Sequence, residues 1–596
     1  SGVSVEQAAA GLNTVYAQIR RDIEAPLHSL SGEKLRQFLS ARLELTPGAR
    51  GQGSIRGAQQ PLTLLLGITL LVLLIVGVNV ANLLLVRGAS RMGEMAIRES
   101  IGASRGRLVA ELLAETAIPA AIGGILALLV AATTLAAVRP ILPSRLAEGL
   151  GMHLGGTAVL FAAFATVATA TVFGLFPALR TVRTDPARAM KGHAAQALGG
   201  GGAKRLRGGL ATAQIAFSMV LLVLAGLFAQ SLRNVARIDL GMDVDSLVSF
   251  SVSPRLNGYD SARTLMLYQR IRQALSAQPG VSSVAAAAVP VISGSNFETN
   301  MSVEGFDNGG EPSSANINMV DNSFFETLGI PLRAGRAFTS ADVGASSPVA
   351  IVNERFTREY GLDGHAVGKH IKWGSARLEI VGVIANAAYS QVKEAVPPQF
   401  FVPLGSLKSD NPFSVVASSA SFYVRAAIDP ETLVRVIPQV VASIDPALPV
   451  THVITMRRQV QQDIFVDRLV SILSASFAAL AVLLAAIGLY GVLAYNVAAR
   501  TRELGLRLAL GAEPADLRFM VLKQVGGMAA IGLSVGLAAA IGAGRAAEAL
   551  LYGLSGHDPF VLAGAAAVLA GVVLAASYWP TRRASSIAPM EALRHE

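Results

Sequence analysis

Seven long apolar runs organise this chain, at residues 62–86, 117–138, 154–179, 210–232, 469–499, 525–544 and 560–579. Each reaches the roughly 20 residues that a helix needs to cross the hydrocarbon of a bilayer, so each is expected to span a membrane. Between the fourth and fifth runs the pattern changes period. Residues 247–252 alternate as a strand does, and 261–277 place apolar residues at helical spacing up to a Pro279-Gly280 stop. Further strands are expected at 301–303, 317–320, 349–352, 378–384, 400–402, 422–426 and 450–454, and helices at 324–328, 355–360 and 431–444. This reads as one large mixed α+β domain. Residues 1–60 are polar and mixed, with a helix expected at 5–23 and a short strand at 41–45. Nothing in them closes a core, and they read as the C-terminal remnant of a first such domain.

Basic residues orient the runs. The loop after the first holds Arg87, Arg91, Arg98, Arg105 and Arg107, and the loop after the third holds Arg180, Arg183, Arg188, Lys191, Lys204, Arg205 and Arg207. The loop after the fifth holds Arg500, Arg502, Arg507 and Arg518, and the tail holds Arg582, Arg583 and Arg594. The alternate loops, 139–153 and 545–558, are poorer in positive charge. Since positive loops stay in the cytoplasm, residues 1–60 and 233–466 are expected outside and the C-terminus inside. The chain thus divides into the remnant 1–60, a three-span membrane domain 61–192 and a linker 193–208 made flexible by the Gly-rich 198–202. The fourth span 209–232, the extracytoplasmic domain 233–466 and a second three-span domain 467–596 follow.

One short charged passage occurs twice. Residues 94–103 read EMAIRESIGA and residues 503–512 read ELGLRLALGA. Glu94, Arg98, Gly102 and Ala103 align with Glu503, Arg507, Gly511 and Ala512, and Ile97 and Ile101 with Leu506 and Leu510. Glu four residues before Arg is the favourable order for a helical ion pair. The aliphatic pair gives a one-sided stripe, and Gly ends the helix because it takes the left-handed conformation at little cost. Ser104 as an N-cap, or Pro514 in a first turn, then restarts the chain as the next span. A single copy is also what a solvated loop between spans looks like; repetition in matching contexts points to a shared task. Residues 177–190 (PALRTVRTDPARAM) likewise resemble 580–593 (PTRRASSIAPMEAL), so spans one to three repeat as spans five to seven. The fourth span and the domain after it belong to the second half, and their first-half counterparts are expected to lie before residue 1.

Composition narrows the chemistry. Apolar residues make up 52% and charged residues 15%, a membrane-protein balance. The net charge of +10 sits beside apolar runs, where it serves topology rather than nucleic acid. Without Cys there is neither disulfide nor thiol chemistry. His153, His193, His365, His370, His452 and His557 are scattered without ligand spacing, and Asp342, Asp363, Glu379, Asp445 and Asp463 form no acid/base pair. Ser29–Lys34 (SLSGEK) faintly resembles the signature of ABC ATPases, but no GxxxxGK[ST] phosphate loop occurs in the sequence. Gly532 with Gly536, and Gly123 with Ala127, are small-xxx-small steps that pack helices closely. Asn79 and Asn82 are expected to hydrogen-bond between helices. The spans carry no central charge, with Glu111, Glu115 and Lys523 only near their ends, which speaks against ion-coupled transport. Residues 451–487 contain neither Pro nor Gly. If helical throughout they extend roughly 55 Å at 1.5 Å per residue, with 457–468 projecting as a polar stalk; 211–238 is similar apart from Gly226.

With both passages present, the chain resembles the FtsX/MacB-type permeases of ABC transporters, in the duplicated form that fuses two four-span halves, here truncated at the N-terminus. The E-x-x-[IL]-R-x-x-[IL]-G-A passages are similar to that family's coupling segments. Residues 324–335 (FFETLGIPLRAG), 352–371 (VNERFTREYGLDGHAVGKHI) and 379–383 (EIVGV) are similar to its periplasmic domain. The resemblance implies an α-helical polytopic protein of the bacterial inner membrane with a large extracytoplasmic α+β domain. It implies a separate cytoplasmic ATPase dimer that docks on both segments and drives movement through stiff helices to the outside. No cofactor is expected on this chain, since ATP belongs to that partner. The other expected partners are membrane lipid and an extracytoplasmic adaptor or substrate-binding protein. The alternatives are an FtsX-like regulator of an external cell-wall hydrolase, an ion-driven transporter and, least supported, a membrane enzyme.

Overall fold

The computed structural model describes residues 3–28, 32–45, 55–90, 94, 97–98, 101, 103–139, 154–182, 201–306, 313–343, 348–406, 419–498, 506–507, 510 and 513–585. It has two units, residues 53–236 with 466–596, and residues 1–52 with 237–465. Among the described residues, seven helices are long and apolar enough to cross a membrane. They are α1 (Ile55–Ser90), α2 (Arg105–Val138), α3 (Gly156–Val182), α4 (Gly201–Ala236), α5 (Phe465–Ala498), α6 (Pro514–Ala547) and α7 (Pro559–Ser585). The internal repeat is visible in their bounds. Helices α2 and α6 both run 34 residues, from matching N-caps at Ser104 and Glu513, and α3 and α7 both run 27.

Helix α4 packs against α6 at closest approach where α6 carries Gly532 and Gly536. A Cβ on Gly532 would lie 2.9 Å from the Ile215 side chain and the Thr212 carbonyl; on Gly536 it would lie 2.7 Å from Met219 Cβ. This is helix packing of the small-residue kind. Gly123 does not behave as the sequence suggests: a Cβ there meets nothing within 4 Å, and Ala127 is exposed. Its neighbour Gly124 instead faces Thr166 of α3. Polar side chains join α1 and α4 to α5. Asn79 Nδ2 donates to the Leu484 carbonyl at 3.0 Å, Gln214 Nε2 to the same oxygen at 2.6 Å, and Ser218 Oγ to the Ala481 carbonyl at 3.3 Å. Gly488 makes room for this group, since a Cβ there would collide with Asn79 Oδ1 and Gln214. Asn82 is buried as well, with its Oδ1 unpaired.

The other unit is built on an 11-stranded sheet. Its strands are β1 (Leu247–Val252), β2 (Val281–Ala287), β3 (Glu298–Val303), β4 (Ser313–Val320), β5 (Leu332–Gly335), β6 (Val349–Asn353), β7 (His370–Trp373), β8 (Ala376–Ile384), β9 (Gln399–Pro403), β10 (Ala420–Ala426) and β11 (Val450–Thr455). Strands β4-β3-β7-β8-β6-β9 close on themselves, because β9 also pairs in parallel with β4, Ile317 opposite Phe400. An antiparallel arm, β11-β1-β10-β2, joins the ring through Ala287 opposite Val320. The helices Ser261–Ser276 and Pro430–Ile444 pack on this arm through Leu267, Tyr268, Ile271, Leu433 and Ile437. Phe422 stacks on Phe250 in this core at 5.1 Å, while the next residue, Tyr423, points to the opposite face and meets Phe324.

Three strands lack a sequence signal. Val281–Ala287 is mostly Ser and Ala, and Leu332–Gly335 and His370–Trp373 are only four residues each. The strand expected at 41–45 is irregular backbone, because its Leu43 pairs with a side chain: Asn13 accepts from Leu43 N–H at 2.7 Å and donates to Leu43 C=O at 2.9 Å. The helix expected at 5–23 runs Val5–Ile19 and continues as a π-turn over Arg20–Glu24. The projecting stalk is also absent. Thr455 caps a separate short helix, Met456–Asp463, and the chain turns at Ile464 (φ −89°, ψ 9°) before α5 begins. The polar residues of this short helix are held by the domain. Gln459 donates to the carbonyls of Val291 and Ile292, both at 2.8 Å, and Asp463 accepts from Val392 N–H at 2.8 Å. Ile292 is a buried β-branched residue at φ 51°, a costly conformation that these bonds over-determine.

Two measurements check this architecture. Gly532→Leu should lower the melting temperature of the chain in lipid, at an overpacking cost of about 1–3 kcal/mol. Gly542→Leu should leave it unchanged, since nothing lies within 4 Å of that position. In the domain, Asp321 is nearly buried. It accepts from the amides of Ala286 and Ser323, and Arg272 lies 3.7 Å away. Burial dominates and raises its carboxyl from 3.8 to about 6. The native state therefore holds a proton that the unfolded chain has released between about pH 4 and 6, so stability falls as pH rises through this window and then levels. Asp321→Asn, which cannot titrate, should flatten the dependence of the melting temperature on pH between about pH 4 and 6.

Candidate functional site

The two charged passages are the strongest functional signal in the sequence, and the structure brings each against the helix that follows it. In the first, Glu94, Ile97 and Arg98 are helical. Arg98 Nη2 pairs with Glu94 Oε1 at 2.7 Å, the expected ion pair, and Nη1 pairs with Glu111 Oε1 at 2.6 Å. The helix closes by two backbone bonds: Ile101 N–H donates to the Ile97 carbonyl at 3.1 Å and Ala103 N–H to the Arg98 carbonyl at 3.0 Å. The second is the 6→1 bond of a Schellman stop. Ser104 then caps α2, accepting from Arg107 N–H at 3.4 Å.

The second passage repeats this at matched positions. Leu510 N–H donates to the Leu506 carbonyl at 3.0 Å. Arg507 Nη1 reaches Met520 Sδ at 3.2 Å, and Met520 is the positional counterpart of Glu111. Leu108 and Leu517, also counterparts, are the buried anchors at the start of α2 and α6, at 2% and 1% exposure. Of the predicted residues Gly102, Glu503, Gly511 and Ala512 lie outside the described ones. Reasoning from sequence missed Glu111 and Met520 as Arg partners. The available signal was their shared phase with Leu108 and Leu517, three residues on along the same face.

The electrostatics place Arg98 between two carboxylates. Chiefly the hydrogen bond it donates to Glu111, then the charges of Glu111 and Glu94, hold its guanidinium above the ordinary value. Both pairs are 41–50% exposed. Exposed pairs are screened by solvent, so this bridge orients the segment more than it stabilises the fold. The apolar stripe is the larger feature. Ile97 and Ile101 are 55% and 80% exposed, and Leu506 and Leu510 are 50% and 79% exposed. Two aliphatic pairs, at the same register and with nearly equal exposure, face outward beside a fixed Arg. Such a surface suits an apolar groove on another macromolecule. It offers nothing for chemistry, and among the described residues no group of three or more His, Asp or Glu side chains could hold a metal ion.

Comparison with known proteins follows the same division. Residues 209–442 match the family described as MacB-like periplasmic core domain. Residues 66–186 and again 475–589 match the family described as FtsX-like permease C-terminal. Among curated relatives, the macrolide export ATP-binding/permease protein MacB 1/2 of Paracoccus denitrificans (strain Pd 1222) is 26% identical over 369 residues, covering 61% of this chain and 52% of that protein. The pyoverdine export ATP-binding/permease protein PvdT of Pseudomonas syringae pv. syringae (strain B728a) is 27% identical over 297 residues, covering 46% and 42%. The chain thus spans about half the length of these relatives. Among solved structures, the periplasmic region of MacB from Actinobacillus actinomycetemcomitans matches with 14% identity and a TM-score of 0.26, covering 37% of this chain and 94% of that one. One family recurs at the two repeats and the other falls on the segment between them, and the chain accordingly belongs to the FtsX/MacB-type permeases of ABC transporters.

Proposed function

We propose that this chain is the permease subunit of an ATP-driven exporter, and that its two amphipathic segments dock a separate cytoplasmic ATPase dimer. The matched outward stripes carry this reading: Ile97/Ile101 and Leu506/Leu510 present one surface twice, as a two-fold partner requires. The sequence adds the absence of a phosphate loop from these residues, and its positive loops favour the cytoplasmic side for both stripes and the C-terminus. ATP is then held by the partner, and closure of its dimer pushes both segments. The short helix Met456–Asp463, latched to the domain by Gln459 and Asp463, is the element through which α5 passes that movement outward. The relatives' names favour export over regulation of an external hydrolase, and a peptide, lipid or drug-like molecule is the expected cargo class.

The direct test is ATP hydrolysis by a partner ATPase, with and without the chain in lipid. Ile97→Asp/Ile101→Asp combined with Leu506→Asp/Leu510→Asp should weaken the complex roughly 100-fold, about 2.7 kcal/mol, while the melting temperature stays unchanged because all four side chains are exposed. Retained affinity in that variant means the stripes are not the docking surface. Arg98→Glu/Arg507→Glu should lose the complex likewise. Gly102→Val and Gly511→Val should leave binding in place but uncouple hydrolysis from transport, and full coupling in both would exclude the assigned role of the turns.

A further inference from the structure

Residues 456–487 contain neither Pro nor Gly, yet their helix is interrupted at Ile464. The interruption is slight. Ile464 N–H still donates to the Val460 carbonyl at 3.1 Å, as in a helix. Its ψ of 9° departs from the roughly −42° that would carry the chain straight on. Two side chains of the short helix meet the domain. Asp463 reaches Val392 N–H in the loop between β8 and β9, and Gln459 makes three bonds with one amide. Its Nε2 donates to the Val291 and Ile292 carbonyls, and its Oε1 accepts from Ser249 Oγ of β1 at 3.0 Å.

The segment that receives Gln459 is also out of its preferred shape. Ile292 lies in the connection from β2 to β3, buried, at φ 51°. A β-branched residue keeps such a backbone only where its surroundings impose it. Ile292 N–H donates to the Tyr389 carbonyl at 2.6 Å and Gly294 N–H to the Ser390 carbonyl at 2.9 Å, which pins one side of the kink. Gln459 pins the other. The docked helix is thus bounded by an interrupted helix on one side and a left-handed isoleucine on the other, and the bonds of Gln459 and Asp463 maintain both. An element whose two arrangements differ by so few bonds can be shifted between them by a modest bias.

We propose that Met456–Asp463 is a releasable latch. On release Ile464 takes helical dihedrals, residues 456–498 become one helix, and Ile292 returns to the extended region. Gln459 is the residue that couples the two changes, because its amide alone bonds both Val291 and Ile292. The latch deepens the reading of α5 as the helix that carries movement outward: the movement is delivered as release of the short helix from the domain.

The chain lacks Cys, so pairs of spin labels on introduced thiols report without background. In the full chain in lipid, labels at Gln461→Cys and Lys372→Cys, both exposed, read the docked helix as one distance. Gln459→Leu keeps helix propensity and removes the three bonds, so it should add a second distance. Gln462→Leu, at an exposed position of the same helix, should not. In the second population, labels at Gln461→Cys and Ala475→Cys should lie on one helix, where fourteen positions span about 21 Å. Ile292→Ala and Ile292→Gly remove the same side chain, but only Ala keeps the penalty of a left-handed backbone. The ratio of released to docked chain should therefore be roughly 5-fold higher with Ala than with Gly. A purely structural kink would lower the melting temperature in both and leave a single distance. An unchanged single distance in Gln459→Leu, equal ratios in the two Ile292 variants, or a second population without the one-helix spacing would each overturn the proposal. No ATPase enters this measurement, so its failure is distinct from failure of the docking reading.

Discussion

The membrane unit depends on how closely two backbones can approach. Inside a bilayer, lipid tails are as apolar as leucine, so burial gives helices no reason to choose one neighbour over another. What distinguishes α4 as a partner of α6 is that Gly532 and Gly536 remove the side chains that would hold the helices apart. Once seated, α4 also meets α7 at Gly226, where a Cβ would lie 2.7 Å from Val561, and brings Gln214 and Ser218 to carbonyls of α5. Asn79 of α1 reaches the same Leu484 carbonyl. The first half is therefore joined to the second by the Asn79 amide on a main-chain oxygen that Gln214 shares, around a Gly488 that leaves space for both. Such bonds are directional where dispersion is not, and they fix the rotation of three helices about their axes.

The two amphipathic segments share a frame but differ in one chemical respect. Arg98 ends on the carboxylate of Glu111, whereas Arg507 ends on the thioether of Met520. The first contact is an exposed ion pair that salt screens, and the second is not. At this position the two segments therefore present different chemistry beside the same aliphatic pair.

Much of this was legible in the sequence. Seven apolar runs give the helices, and residues 94–103 and 503–512 give the repeat, because span length and charge spacing are local properties of the chain. What was not legible is non-local. Glu111 became a partner of Arg98 only through the turn at Ala103–Ser104. Residues 456–463 have the composition of a free polar stalk, and only the bonds to Val291, Ile292 and Val392 show them to be held. Residues 41–45 have strand-like residues but pair with the Asn13 side chain. The Gly123 step has the same spacing as Gly532 and a different environment, which no reading of spacing separates.

The order in which the sheet closes has a consequence for synthesis. Strand β1 leaves the ribosome soon after α4, yet Ser251 pairs with Ser421, 170 residues later, and Ser249 with Ile454, 205 residues later. The ring itself waits for β9 to reach β4. Contacts this distant in sequence are slow to form. The arm is completed only by β11, directly ahead of the short helix and α5. The outer strands of the arm can therefore pair only once the segment between α4 and α5 has been synthesised almost to its end, and the strand that completes them lies directly ahead of the fifth span.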